Sequence, residues 1–183
     1  MQTRIGFRVH SGWAAMVAVA GSFDRPVIVD RRRIEIGEVA QPYHRARELG
    51  VEPGRAFLEQ CRAASDAMAL EALEAAIKRV GGDRVRRCAV LMGSGRASPS
   101  LEATLASHAA IHSAEGEFFR ASIIHAAESC GLKVRCIKEK ELSDIAGREL
   151  SGDVQRVLTE VGKMVGTPWR QDQKFAALAA WLA

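Results

Sequence analysis

The sequence predicts an α/β fold on a mixed five-stranded sheet, an antiparallel three-strand meander plus two parallel strands, with helices on both faces. Two observations predict it. Residues 3–36 hold three β-like runs in direct succession, parted only by turn residues. Every later β-like run is reached through a helical stretch, and such crossovers lay strands parallel to one another and cover the sheet with helices.

Each element has its own grounds. The first strand covers residues 4–9 and turns at His10-Ser11-Gly12. The second covers 13–20 and the third 26–36, joined by a turn over 21–25. Val, Ile, Trp and Phe suit a pleated surface, and Gly, Ser and Asp break it. Trp13, Ala15, Val17 and Val19 share one face of the second strand, and Ala14, Met16, Ala18 and Ala20 the other. Both faces are apolar, so this strand is buried on both sides. In the third strand Arg31 and Arg33 alternate with Arg32, Ile34 and Ile36. That marks an edge strand whose arginines oppose edge-to-edge pairing.

Residues 37–53 read as a connection punctuated by Pro42, Gly50 and Pro53. A helix over 55–80 follows from apolar residues at three- and four-residue steps, closed by Gly81-Gly82. The fourth strand is 85–92 and runs into Gly93-Ser94-Gly95-Arg96. Ser98 as N-cap, Pro99 at the first helical position and Glu102 in the first turn predict a helix over 99–130. Gly116 is its weak point and Gly131 its terminator. A fifth strand covers 133–138. Helix then covers 143–165, broken near Gly147 or Gly152, and a last helix covers 170–183.

At 183 residues the chain is expected to form one domain spanning 1–183. Its 48% apolar and 26% charged residues are ordinary for a soluble globular protein. The net charge of +4 permits an anionic partner without demanding one. Met1-Gln2-Thr3-Arg4 leads into a strand rather than a signal sequence, and no apolar run approaches the ~18 residues of a membrane helix. Cys61, Cys88, Cys130 and Cys136 lack metal-site spacing and sit in apolar segments. They read as buried free thiols in a reducing cytoplasm.

Three stretches, IGFRVHSGW near the start, residues 101–142 and the closing DQKFAALAAWLA, together resemble the RuvC-type Holliday-junction resolvases of the ribonuclease H-like superfamily. IGFRVHSGW is similar to that family's first strand, turn and Gly-Trp second strand. LEATLASHAAIHSAEGEFFRASIIHAAESCGLKVRCIKEKEL is similar to its long helix, its "GL-V" turn into a strand and the Lys/Glu-containing segment after it. DQKFAALAAWLA is similar to its Asp-bearing closing helix. Order and spacing agree across most of the chain.

The resemblance implies a carboxylate cluster holding two divalent cations, which stabilise the attacking and leaving oxygens of a phosphodiester. It implies a first acid two residues after Gly6, where this sequence has Arg8. It implies a second at the end of the fourth strand, where Leu91, Met92, Gly93 and Ser94 stand. From the closing helix Asp172 alone matches. The expected function is therefore a catalytically degenerate RuvC-like domain that binds an anion or structured, branched nucleic acid, or serves as an interaction module.

The alternative is a metal-dependent nuclease or phosphodiesterase with a relocated site. On the long helix Leu101, Leu105, His108, His112, Glu115, Phe119 and Ile123 fall in a stripe about 80° wide. His108, His112 and Glu115 can bind Mg, Mn or Zn. His112 can also act as a base oriented by Glu115, with Asp172 completing the set. A polar seam in the core or a subunit interface explains the same spacing, and the helix suits a homodimer. Arg8, His10, Ser94, Gly95 and Arg96 would line an anion pocket. An ion pair between Arg8 and Asp172 is the competing reading.

Overall fold

A computed structural model describes residues 2–95 and 98–183. Three antiparallel strands open the chain: β1 (Thr3–His10), β2 (Trp13–Ala20) and β3 (Val27–Glu35). After α1 (Pro42–Leu49) and α2 (Val51–Val80), β4 (Val85–Met92) pairs parallel to β1. After α3 (Leu101–Ala106) and α4 (His108–Ser129), β5 (Lys133–Lys138) pairs parallel to β4. The chain closes with α5 (Leu142–Glu149), α6 (Val154–Val165) and α7 (Gln171–Leu182). The sheet order is β3-β2-β1-β4-β5, the meander-plus-two-parallel arrangement expected.

Strand alternation divides the core. Ile5, Phe7 and Val9 of β1 pack on one face with residues of α2 and α4. On the other face Val17, Val19, Ala89 and Leu91 pack against α5, α6 and α7. All of β2 except Trp13 is buried. β3 is an edge, and each of its three arginines has a partner. Arg31 donates to the carbonyls of Val165, Gly166, Thr167 and Pro168. Arg32 pairs with Asp30, and Arg33 with Glu35.

The even residues of β1 set the position of α7. Arg4 Nη1 donates to the Trp181 carbonyl at the end of the helix, 2.9 Å away. Arg8 Nη1 donates to Asp172 Oδ1 in its first turn, 2.7 Å away. Four strand residues at ~3.3 Å and nine helix residues at ~1.5 Å both span about 13 Å, so the two contacts share one register. Gly6 lies between them. A Cβ there would overlap the Ala176 carbonyl oxygen and stand 2.5 Å from Ala180 N. The missing side chain lets α7 lie against the strand. Arg135 adds a second guanidinium at the C-terminal end of α7, 2.7 Å from the Leu182 carbonyl.

Five sequence expectations need correction. Residues 37–53 are not all connection: Pro42 starts α1, fitting proline's fixed φ and missing N–H at a first turn. The helix over 99–130 is two helices. Ser100, not Ser98, caps α3 through Ala103 N, and Ser107 caps α4 through Ala110 N. The break falls at Ser107 because its hydroxyl serves a helix start better than a helix interior. Gly116 sits within α4. Of the cysteines only Cys88 is buried, with its thiol pushed up to about 12, chiefly by desolvation. Cys136 is exposed on β5.

Candidate functional site

The carboxyl ends of the parallel strands in an open α/β sheet form a natural crevice. Here β1, β4 and β5 end together at a cleft of about 570 Å³. Its lining includes Arg8, His10, Ser94, Arg120, Glu139 and Lys140.

Arg8 organises the cleft. Its Nε and Nη2 donate to the two oxygens of Glu139 at 3.0 and 2.7 Å. Its Nη1 donates to Asp172, and its guanidinium stands 5.0 Å from the centre of the Phe175 ring. The fork of an arginine suits such a bidentate carboxylate pair. Both acids come from helix or turn positions just beyond the sheet. Glu139 follows β5 directly, and Asp172 opens α7.

His10 is fixed from two sides. Its Nε2 lies 2.8 Å from Asp172 Oδ1. Its ring stacks on Trp13, with centroids 4.2 Å apart and planes 12° from parallel. The guanidinium of Arg33 covers Trp13 at 4.2 Å. Arg33, Trp13, His10, Asp172, Arg8 and Glu139 thus form one chain of contacts across the meander.

Electrostatics agree with the geometry. Burial pushes the Asp172 carboxyl up, but hydrogen bonds from His10 and Arg8 outweigh it and hold the group below its ordinary value. The Arg8 guanidinium is held above its ordinary value, first by its hydrogen bonds to Glu139 and then, against desolvation, by the nearby acids. This donor set does not fit a hard divalent cation. Both Glu139 oxygens already accept from Arg8, and Asp172 Oδ1 serves Arg8 and His10. A cation would meet a guanidinium at the centre of the acids.

The predicted anion set is placed in part. Arg8, His10 and Ser94 line the cleft. Gly95 instead faces α4, where a Cβ would stand 2.7 Å from Ser113 Oγ. Arg96 lies outside the described residues. Arg8 and Asp172 do form the ion pair weighed against a ligand pocket, and Arg8 also lines the cleft.

The predicted histidine set divides. His108 and His112 meet, with their Nε2 atoms 3.0 Å apart. Glu115 is 2% exposed and accepts from the His44 ring and backbone N–H. Asp172 is not part of this group; its hydrogen bonds run to Arg8 and His10. The stripe therefore passes from solvent at His108 and His112 into the core at Phe119 and Ile123. Sequence reasoning missed Glu139 and His44. His44 was hidden in the supposed connection, where Pro42 followed by Tyr43 and Ala46 was the available helix signal. Glu139 lay within the Lys/Glu segment, whose spacing alone favours neither of its two acids, Glu139 and Glu141.

No protein-family model matches the sequence, and no curated protein matches it. Solved structures do share the fold. Thermus thermophilus RuvC matches with a TM-score of 0.56 at 11% identity, covering 98% of this chain and 92% of that one. T. thermophilus RuvC in complex with Holliday junction substrate matches with a TM-score of 0.55 at 12% identity, covering 99% and 91%. The fold is ribonuclease H-like and resembles that of RuvC. No helix among the described residues is long and apolar enough to cross a membrane.

Proposed function

We propose that residues 1–183 act as one catalytically degenerate, RuvC-like domain that binds the phosphates of structured or branched nucleic acid without divalent-metal chemistry at the strand-end cleft. The observation that carries this reading is Arg8 held between Glu139 and Asp172. It puts a fixed positive charge where the family resemblance implies cations. Arg120, Lys140 and His10 around the same cleft supply further donors for phosphate oxygens. The neighbouring RuvC structure with a Holliday junction makes branched DNA the first ligand to try.

The test is anisotropy of a labelled four-way junction in EDTA across a salt series. Binding in EDTA that weakens with salt is expected, because phosphate neutralisation releases counterions. Lys140→Ala should reduce the salt slope by about 1. Binding that requires Mg²⁺, or no preference for a junction over duplex, contradicts the proposal. Light scattering of the same samples tests the proposed homo-oligomer, whose candidate interface is α4. A cytoplasmic location is part of the same reading.

A second reading, a metal-dependent phosphodiesterase with its site on α4, is favoured by the meeting of His108 and His112. It requires metal-dependent cleavage that His112→Ala abolishes.

A further inference from the structure

Away from the cleft, α1 packs against α4 and brings a third histidine to the pair. One ring nitrogen from each of His44, His108 and His112 lies within 4.8 Å of the other two. Glu115 lies beneath them. Its Oε1 is 2.8 Å from His44 Nδ1, and its Oε2 is 3.9 Å from His112 Nδ1. The carboxylate therefore addresses the Nδ1 side of two rings, leaving Nε2 of each for another partner.

We infer that His44, His108 and His112 form a three-imidazole site for a borderline-soft transition metal, zinc first, with Glu115 as the positioning residue. Four observations support it. In a tetrahedral zinc site with Zn–N of ~2.0–2.1 Å, ligand nitrogens stand about 3.3 Å apart. The His108 and His112 Nε2 atoms are already 3.0 Å apart, and a His44 ring nitrogen lies within 4.8 Å of a nitrogen of each. The Glu115 arrangement is that of an outer carboxylate that fixes a ring's tautomer and raises its basicity. Glu115 is 2% exposed, and among the described residues no Lys or Arg lies within ion-pair distance of it. A buried carboxylate calls for a counter-charge, and a divalent metal on its histidines supplies one. Finally, His108 and His112 are exposed, which gives the metal an entry path and leaves a fourth position facing solvent.

An all-nitrogen set selects zinc, cobalt, nickel or copper over magnesium or calcium. The positive N-terminal end of α4 opposes the cation, but only weakly beside three coordinate bonds. The site differs from the His108, His112 and Glu115 ligand set that sequence spacing suggests. Here Glu115 sits behind the ligands, and His44 takes its place. Its metal would join α1 to α4. The inference does not rest on the reading of the strand-end cleft.

The test uses the whole chain stripped with chelator, then titrated with Zn²⁺ in thermal melts and with Co²⁺ in visible absorption. A rise in melting temperature saturating at one equivalent is expected, with the intense Co²⁺ bands of a four-coordinate site. His44→Ala, His108→Ala and His112→Ala should each abolish both signals. Glu115→Gln, checked for native circular dichroism, should keep the stoichiometry and weaken affinity ~10–100-fold. No saturation at one equivalent overturns the site. Signals that survive His44→Ala return the ligand set to His108, His112 and Glu115. Unchanged affinity in Glu115→Gln removes the positioning role.

Discussion

Arg8 carries the chemistry of the strand-end cleft in one side chain. Its side chain is 17% exposed and engages two carboxylates, so removing it leaves two partly buried negative charges facing each other. Arg8→Ala is expected to lower stability by about 1–3 kcal/mol in urea denaturation. Arg8→Lys should recover only part of the loss, because an ammonium cannot reproduce the fork. An unchanged urea midpoint in Arg8→Ala would show that the pairing is not energetically significant. Asp172 adds a pH signature. Its carboxyl is depressed in the folded chain, so its stabilisation is fully present above the unfolded value of ~3.9. It is lost as pH falls through the lower folded value. Asp172→Asn should therefore differ most from wild type near neutral pH, with the gap closing below about pH 4.

The alignment of α7 on β1 is a property of elements. Both ends are tied by arginines of one strand face, and the middle depends on an absent Cβ. Backbone on both sides prevents relief by a side-chain rotation, so Gly6→Ala should cost about 3 kcal/mol and displace α7. Hydrogen exchange would report it as lost protection along α7, and unaltered protection would refute the alignment argument. This level of structure was partly legible. The three-strand meander could be read because period-2 patterns and Gly-Ser turns speak locally. The alternation of Arg4, Gly6, Arg8 and His10 was visible too, but its meaning required α7, which lies more than 160 residues along the chain. The break at Ser107 was missed because Ala-rich flanks continue the helical pattern through it. Helix α1 was missed because Gly50 leaves it only eight residues, too few for a clear period.

For the whole molecule, strand order and crossovers bring residues distant in sequence to one cleft. Arg8 and Asp172 were both singled out from sequence, with their ion pair as one of two competing readings. Glu139 and His44 were not, because each acquires its role only from a partner on another element: Arg8 in one case, Glu115 in the other. The two sites differ in donor chemistry. One is an arginine holding oxygen acids, and the other is imidazoles backed by a carboxylate. A molecule of this kind should hold phosphates with side chains at the first site and respond to zinc-class metals at the second, independently of each other.

The most direct measurement is the fate of an end-labelled four-way junction incubated with the chain in Mg²⁺ and in Mn²⁺, with binding and strand cleavage read from the same samples. Junction bound and intact in both metals, as in EDTA, is the result expected from carboxylates held by Arg8. Cleavage that appears with either metal and disappears in Asp172→Asn would mean that the acids do serve a cation, and would contradict the account.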